Sequence, residues 1–380
     1  MSRGFEQREF ETRLNAAQTL MQEAGLGALL LTTEPDVRYF TGYLTRFWES
    51  PSRPWFLIVP ASGKPVAVIP SIGAALMSQT WIEDIRTWRA PDPLDDGVSL
   101  LTNTLNALTR GAVGTPMGYE SHLRMPLGDW KRVQAGLHGD ACEDAGIMAR
   151  LRGVKSSAEI AKIENACGIA ARAFARVPEI AAEGVPLSQV FRDFQRLCLE
   201  EGADWVPYLA GASEQGGYGD VISPASDRPL SAGDVLMLDT GLVHDGYFCD
   251  YDRNFAVGPP TEHIAAAHAR LIYAIDEAAD VARAGTTAAQ LFHAMDRIVT
   301  GGQGGSDAGR LGHGLGMQLT EGLSITPQDH TVLEPGMVIT LEPGIETGPG
   351  KMLVHEENIV ITDGAPRFLS PRAPATMVQL

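Results

Sequence analysis

Leu230-Ser-Ala-Gly-Asp-Val-Leu-Met-Leu-Asp239-Thr-Gly241 recurs as Leu333-Glu-Pro-Gly-Met-Val-Ile-Thr-Leu-Glu342-Pro-Gly344, the second copy starting at 333 against 230. Each copy reads Leu, two residues, Gly, one residue, Val, two residues, Leu, an acid, one residue, Gly. That pattern is a turn followed by a short β-rich run that ends on a carboxylate. A carboxylate closing an apolar strand is costly unless a proton, a cation or hydrogen bonds meet it. A following strand carries a second acid in each copy: Asp250 in Gly-Tyr-Phe-Cys-Asp-Tyr-Asp, and Glu356 in Met-Leu-Val-His-Glu-Glu-Asn. A repeated turn alone would explain the Gly and Leu matches, but not acids at matching places. Two hairpins that bring four acids together repel one another strongly, so a divalent cation or a pair is their natural partner.

Outward from this repeat, each half reads as two helices and then a hairpin. Before the first hairpin, Ser156, Ser157 and Glu159 form a helix start, and Ile160, Ile163, Cys167, Ala170 and Phe174 form one apolar face. A second helix is expected over roughly 186–201, followed by a glycine-rich loop, Ala210–Gly219, whose Tyr208, Tyr218 and Asp220 neighbourhood is a candidate for substrate contact. Between the halves lies Gly309-Arg-Leu-Gly-His-Gly-Leu-Gly316. Glycines on both sides of His313 suit close approach of backbone and imidazole to something else. Asp239, Asp250, His313, Glu342 and Glu356 thus make a set of four carboxylates and one imidazole. Oxygen-rich ligation with one nitrogen suits Mn²⁺ first, with Co²⁺, Fe²⁺ or Zn²⁺ as alternatives. Two cations lower the pKa of a water between them, and one acid must move its proton.

Upstream, residues 1–150 read as a separate α/β domain, with residues 151–380 as the second. An amphipathic helix is expected from Phe10 to Ala24, stopped at Gly25, with strand-like runs at 28–31, 55–60 and 65–70. The insert Thr45-Arg-Phe-Trp-Glu-Ser-Pro-Ser-Arg-Pro-Trp55 puts Arg46, Phe47 and Trp48 forward as a lip over a site or a subunit contact. The fold class is therefore α/β (α+β), with a duplicated second domain.

A chain of 380 residues with 44% hydrophobic and 20% charged residues is ordinary for a globular protein of two domains. Its formal net charge of -17 argues against nucleic acid and anionic membranes as partners. No apolar run reaches membrane-spanning length, and the N-terminus lacks a signal-peptide core. Four scattered cysteines (Cys142, Cys167, Cys198 and Cys249) fit a reduced cytoplasm.

At these residues the chain resembles the pita-bread metallopeptidases: Xaa-Pro aminopeptidases, prolidases, methionine aminopeptidases and the metal-free creatinases. The Asp, Asp, His, Glu, Glu order carries the match, together with Thr32-Thr-Glu-Pro-Asp-Val-Arg-Tyr-Phe-Thr-Gly-Tyr43, which is similar to the N-terminal domain of the creatinase and prolidase branch. The resemblance implies a homodimer, with the Phe47–Trp48 loop as a candidate cover over the chain's own or the partner's site. It implies that Asp239 chelates one metal, that Asp250 and Glu356 bridge, and that His313 and Glu342 hold the second, Glu342 doubling as acid-base group. It also selects Glu356 over Glu357, because alternation lets only one of two adjacent strand residues face the metals. The chain departs from the family where substrate is met. Thr320 stands where peptidases carry a histidine, Val354 stands where they carry an arginine with His355 beside it, and Asp252 stands where Thr is usual. Tyr208, Tyr218, Asp220, Thr320, His355 and Trp48 are the resulting substrate candidates. The expected activity is cleavage of a small peptide or amide by an Xaa-Pro aminopeptidase-like or dipeptidase-like hydrolase. The alternatives are hydrolysis or elimination on a small organic acid, or a non-catalytic binding protein.

Overall fold

The computed structural model describes residues 3–50, 54–304 and 309–380, so Pro51, Ser52 and Arg53 of the aromatic insert lie outside the described residues. It divides into two compact units, Met1–Arg152 and Gly153–Leu380.

The first unit begins with the expected helix, Gln7–Ala24, which buries Phe10, Leu14, Ala17 and Met21 and ends at Gly25 in the left-handed region (φ 69). Its sheet contains β1 (Leu26–Leu31), β2 (Phe56–Pro60), β3 (Val66–Pro70), β4 (Asp84–Trp88), β5 (Ala112–Thr115) and β6 (Ala141–Glu143), in the order β4-β3-β2-β1-β5-β6. The inward side chains Ala28, Leu30, Phe56, Ile58, Val66 and Val68 meet Leu101 and Leu105 of helix Val98–Leu108 and Trp130 of helix Leu127–Gly136. Trp48 packs within this unit instead of forming an exposed lip. Its ring lies 5.8 Å from that of Trp55, and the Arg124 guanidinium sits over it while donating to its carbonyl at 2.9 Å.

In the second unit, helix Ser157–Ala175 starts with the expected reciprocal cap: Ser156 Oγ accepts from the Glu159 N–H, and the Glu159 carboxylate accepts from the Ser156 N–H. Helix Leu187–Glu200 follows. The next element departs from expectation. The glycine-rich stretch is not a loop up to Gln215 but an 11-residue strand, β7 (Trp205–Gln215). Gly211 is required there, since a Cβ would lie 2.4 Å from the Met237 carbonyl oxygen. β7 pairs with β8 (Asp234–His244), which carries β9 (Tyr247–Phe248) and β10 (Tyr251–Ala256), and β16 (Val378–Gln379) closes the far edge.

After helices Glu262–Val281 and Ala288–Val299, the second hairpin is interrupted. β11 (Val338–Leu341) pairs with β14 (Glu357–Val360), while β12 (Gly344–Gly348) pairs with β13 (Lys351–Val354). The break falls at Glu342-Pro343 and at His355-Glu356. Proline donates no ladder hydrogen bond, and the Pro343 carbonyl instead accepts from the His355 N–H at 3.1 Å. β15 (Arg367–Phe368) extends β14. Among the described residues no helix is long and apolar enough to cross a membrane.

Candidate metal centre

Each acid of the quintet sits where a strand ends, breaks or faces its partner. Asp239 lies within β8, directly across from Asp252 of β10, so the two carboxylates share one face of the sheet. Asp250 falls between β9 and β10, and Glu342 and Glu356 occupy the two sides of the break in the second hairpin. Asn358 ties the halves together. Its Oδ1 accepts the Asp250 N–H at 3.1 Å and its Nδ2 donates to the Asp250 carbonyl, so β14 anchors the backbone of an acid from the first half.

The glycines around His313 now have a physical cause. Residues 311–315 run between β11 and residues 321–325, bonded on both sides: Leu315 N–H to Val338 O at 3.1 Å, Thr340 N–H to His313 O at 2.7 Å, and Glu321 N–H to Gly314 O at 2.8 Å. A Cβ on Gly314 would lie 2.0 Å from the Glu321 carbonyl oxygen, and one on Gly312 (φ 139) 2.3 Å from that of Thr340. Only glycine permits this squeeze. It brings His313 Nε2 to 3.3 Å from Asp250 Oδ2, while Nδ1 lies 3.0 Å from the Gly314 carbonyl. Ligand atoms of Asp250, His313 and Glu356, all buried, lie within 4.8 Å of one another.

The electrostatics of this cluster are those of too many buried acids. Burial, then the neighbouring acids, push the Asp239 and Glu356 carboxyls well above the usual carboxylate range. Burial does the same to Asp250, with the Arg310 guanidinium opposing and Asp252 reinforcing it. Burial raises Glu342 to about 7, against the opposing pull of His313 and Arg310. Asp239 Oδ1, Asp252 Oδ2, Glu342 Oε2 and Glu356 Oε1 are enclosed and accept no hydrogen bond among the described residues. Native proteins seldom leave such oxygens unmet. Four unmet carboxylate oxygens, on acids that act on one another electrostatically, fit divalent cations, which satisfy the oxygens and cancel the repulsion together.

A pH-dependent metal effect follows. Without metal, burial raises the folded Glu342 carboxyl to about 7 from its ordinary 4.5. At this carboxyl the folded state therefore holds more protons between those values and loses stability as pH rises through them. His268 has the opposite sign: burial lowers it to about 4, so its contribution grows as pH rises toward 6.5. His268 is common to stripped and loaded protein and cancels in their difference. The thermal shift produced by saturating Mn²⁺ is therefore expected to grow as pH rises from 4.5 to 7, since the raised acids of the cluster all act in this direction. Differential scanning calorimetry of both forms checks this, and a shift that is flat or shrinking with pH contradicts it.

Behind the acids lies a network that the sequence did not announce. His355 Nδ1 and Nε2 each lie 3.2 Å from a carboxylate oxygen, of Asp252 and of Glu357 respectively. Glu357 also receives Arg253 Nη2 at 3.1 Å, the Ala373 N–H at 2.9 Å and the Ser370 hydroxyl. Burial opposes it, yet Arg253, His355 and Ser370 hold the Glu357 carboxyl down at about 2.

Four of the substrate candidates therefore take other roles. His355 is fully buried with both nitrogens engaged. Tyr218 is fully buried too, its hydroxyl donating to Asn254 Oδ1 at 3.0 Å and accepting the Val354 N–H at 2.7 Å. Asp220 is exposed and spends its carboxylate on the N–H groups of Ile222 and Ser223 in its own turn. Trp48 belongs to the core of the first unit. Tyr208 does reach the cluster, donating its hydroxyl to Asp239 Oδ2 at 3.0 Å. Half-buried Thr320 accepts from Arg310 Nη2 at 3.1 Å, and Arg310 is the cation that acts on Asp250 and Glu342. Arg310, Asn358 and Arg253 were missed from sequence. Only Arg310 gave a signal, as the lone charge in a glycine-flanked segment.

Comparison with known proteins agrees over most of the chain. Residues 161–363 match the model of metallopeptidase family M24, and residues 13–154 match the creatinase/prolidase N-terminal domain. A Mycobacterium tuberculosis protein described as probable dipeptidase PepE is 30% identical over 376 residues, covering 96% of this chain and 95% of that protein. The Xaa-Pro dipeptidase of Pyrococcus horikoshii is 30% identical over 227 residues, 59% of this chain and 64% of its own length. The crystal structure of dipeptidase PepE from Mycobacterium ulcerans superposes with a TM-score of 0.83 at 27% identity, covering 99% of both chains.

Proposed function

The chain belongs to metallopeptidase family M24, and from that premise we propose that it hydrolyses short peptides at the acid cluster, as a dipeptidase that takes Xaa-Pro and related substrates. It is a metallohydrolase whose cofactor is divalent metal. In our reading Asp239, Asp250, His313, Glu342 and Glu356 would together hold two ions. Mn²⁺ is the proposed metal, because four carboxylates to one imidazole is a hard, oxygen-rich donor set. The observation that carries the reading is the set of unmet, enclosed carboxylate oxygens together with the close grouping of Asp250, His313 and Glu356.

Divalent cations held there would supply Lewis-acid polarisation of a carbonyl and a lowered pKa for a bound water. The rest falls to side chains. Glu342 retains some exposed surface, accepts the proton that water loses, and delivers it to the departing amine as the C–N bond breaks. Tyr208 fixes the orientation of Asp239 through its hydroxyl. Arg310, steadied by Thr320, pairs with the free carboxylate of a dipeptide and so favours short substrates.

Methionine at Arg310 is expected to raise KM for free-acid dipeptides about 10- to 100-fold, a charge-assisted contact being worth about 1.5–3 kcal/mol. Dipeptide amides should be nearly unaffected. Equal effects on both would remove the anchoring role. The reading as a whole is tested by a panel of dipeptides, with and without proline in the second position, against the Mn²⁺-loaded protein. Cleavage is expected, and no turnover at any metal load would overturn it. A homodimer in a reduced cytoplasm completes the proposal. Support for the location comes from Cys142, Cys167, Cys198 and Cys249, all free thiols, and light scattering tests the dimer.

A further inference from the structure

We propose that Asp252 is a sixth protein ligand of the metal centre, contributing Oδ2, and that His355 is the residue that positions it. The inference rests on the metal-site reading above and extends it to residues outside the quintet.

Three observations carry it. Asp252 faces Asp239 across the β8–β10 pair, so its carboxylate leaves the sheet on the side where the quintet gathers. The residue is 1% exposed, and its two oxygens are treated differently. Oδ1 is fully used, accepting the Glu356 N–H at 3.0 Å and lying 3.2 Å from His355 Nδ1. Oδ2 is enclosed and has no hydrogen-bond partner among the described residues. A purely structural aspartate would gain from a second donor at that oxygen, because leaving a buried charged acceptor unmet is costly. The bonds at Oδ1 also prevent the carboxylate from turning to exchange its two oxygens.

The support behind Asp252 is rigid. His355 is pinned on its other nitrogen by Glu357, which Arg253, Ser370 and the Ala373 N–H hold in turn. A carboxylate–imidazole–carboxylate chain of this kind orients a metal-facing group from behind. It also couples Asp252 to Glu356, since the Glu356 N–H binds the same Oδ1.

Asp252→Asn keeps an acceptor at the Oδ1 position and removes the charge at Oδ2, so it separates ligation from packing. Chelator-stripped wild type and Asp252→Asn are titrated with Mn²⁺ by calorimetry, and the loaded forms are compared by Mn²⁺ electron paramagnetic resonance. The expected result is two ions in the wild type, with one of the two bound roughly 10- to 100-fold more weakly in Asp252→Asn and the coupled two-ion spectrum reduced. His355→Gln should shift binding in the same direction by a smaller factor, with circular dichroism unchanged. Wild-type isotherms and spectra in Asp252→Asn would overturn the sixth ligand and leave the quintet standing. A wild type that binds no Mn²⁺ would overturn the metal-site reading, and this inference with it.

Discussion

Asp250→Ala is expected to reduce peptide hydrolysis about 10³-fold or more, the scale of several kcal/mol of lost transition-state stabilisation. Metal content measured by elemental analysis should fall with it. Asp250 is central in every respect: its Oδ2 lies 3.3 Å from His313 Nε2, and its backbone is tied on both polar atoms to Asn358. Alanine keeps both backbone bonds, so the fold should survive. The sign of the stability change is the sharper test. Without metal, Asp250 is a buried acid among buried acids, and its removal should raise the melting temperature of the stripped protein above that of stripped wild type. With Mn²⁺ present the order should reverse, because the variant gains little from the ions. A variant that retains wild-type activity and metal content would remove Asp250 from the centre.

Glu342→Gln is expected to lower kcat about 10²- to 10⁴-fold with a much smaller change in KM, the range for loss of a positioned acid-base group. The amide keeps an oxygen for a cation but cannot carry the proton, so metal content should fall less than in Asp250→Ala. The limb of the pH–rate profile that reports this carboxyl should disappear. Loaded Glu342→Gln with kcat within tenfold of wild type would move the proton transfer to another group.

Much of this centre could be read before any fold was known. The repeated Leu-x-x-Gly-x-Val-x-x-Leu-acid motif put Asp239 and Glu342 forward, and the glycines flanking His313 marked a chain squeezed between neighbours. These signals are local, because a strand, a turn and a glycine each leave their mark within a few residues. The substrate side read less well. Tyr218 and Asp220 sat in what looked like a glycine-rich loop, yet the stretch up to Gln215 is a strand. Gly211 serves close approach to the Met237 carbonyl there, and from sequence that cannot be told from a flexible position. His355 and Tyr218 have the composition of ligand-facing groups, but both turned inward to bond partners about 100 positions or more away in the chain.

By itself, then, the sequence determined the duplicated architecture and the five metal-facing candidates, since periodicity and turn chemistry act over short distances. Only the tertiary structure decided which polar side chains face the acids and which stand behind them. Asn358 bonding to Asp250 and His355 bonding to Asp252 are pairings between segments far apart in the chain, and Arg310 acts on Asp250 and Glu342 from a third segment. Their partners are chosen by how two half-sheets pack, and those partners decide whether a buried carboxyl is held down at about 2, as Arg253, His355 and Ser370 hold Glu357 against burial, or is left raised by burial to about 7, as Glu342 is.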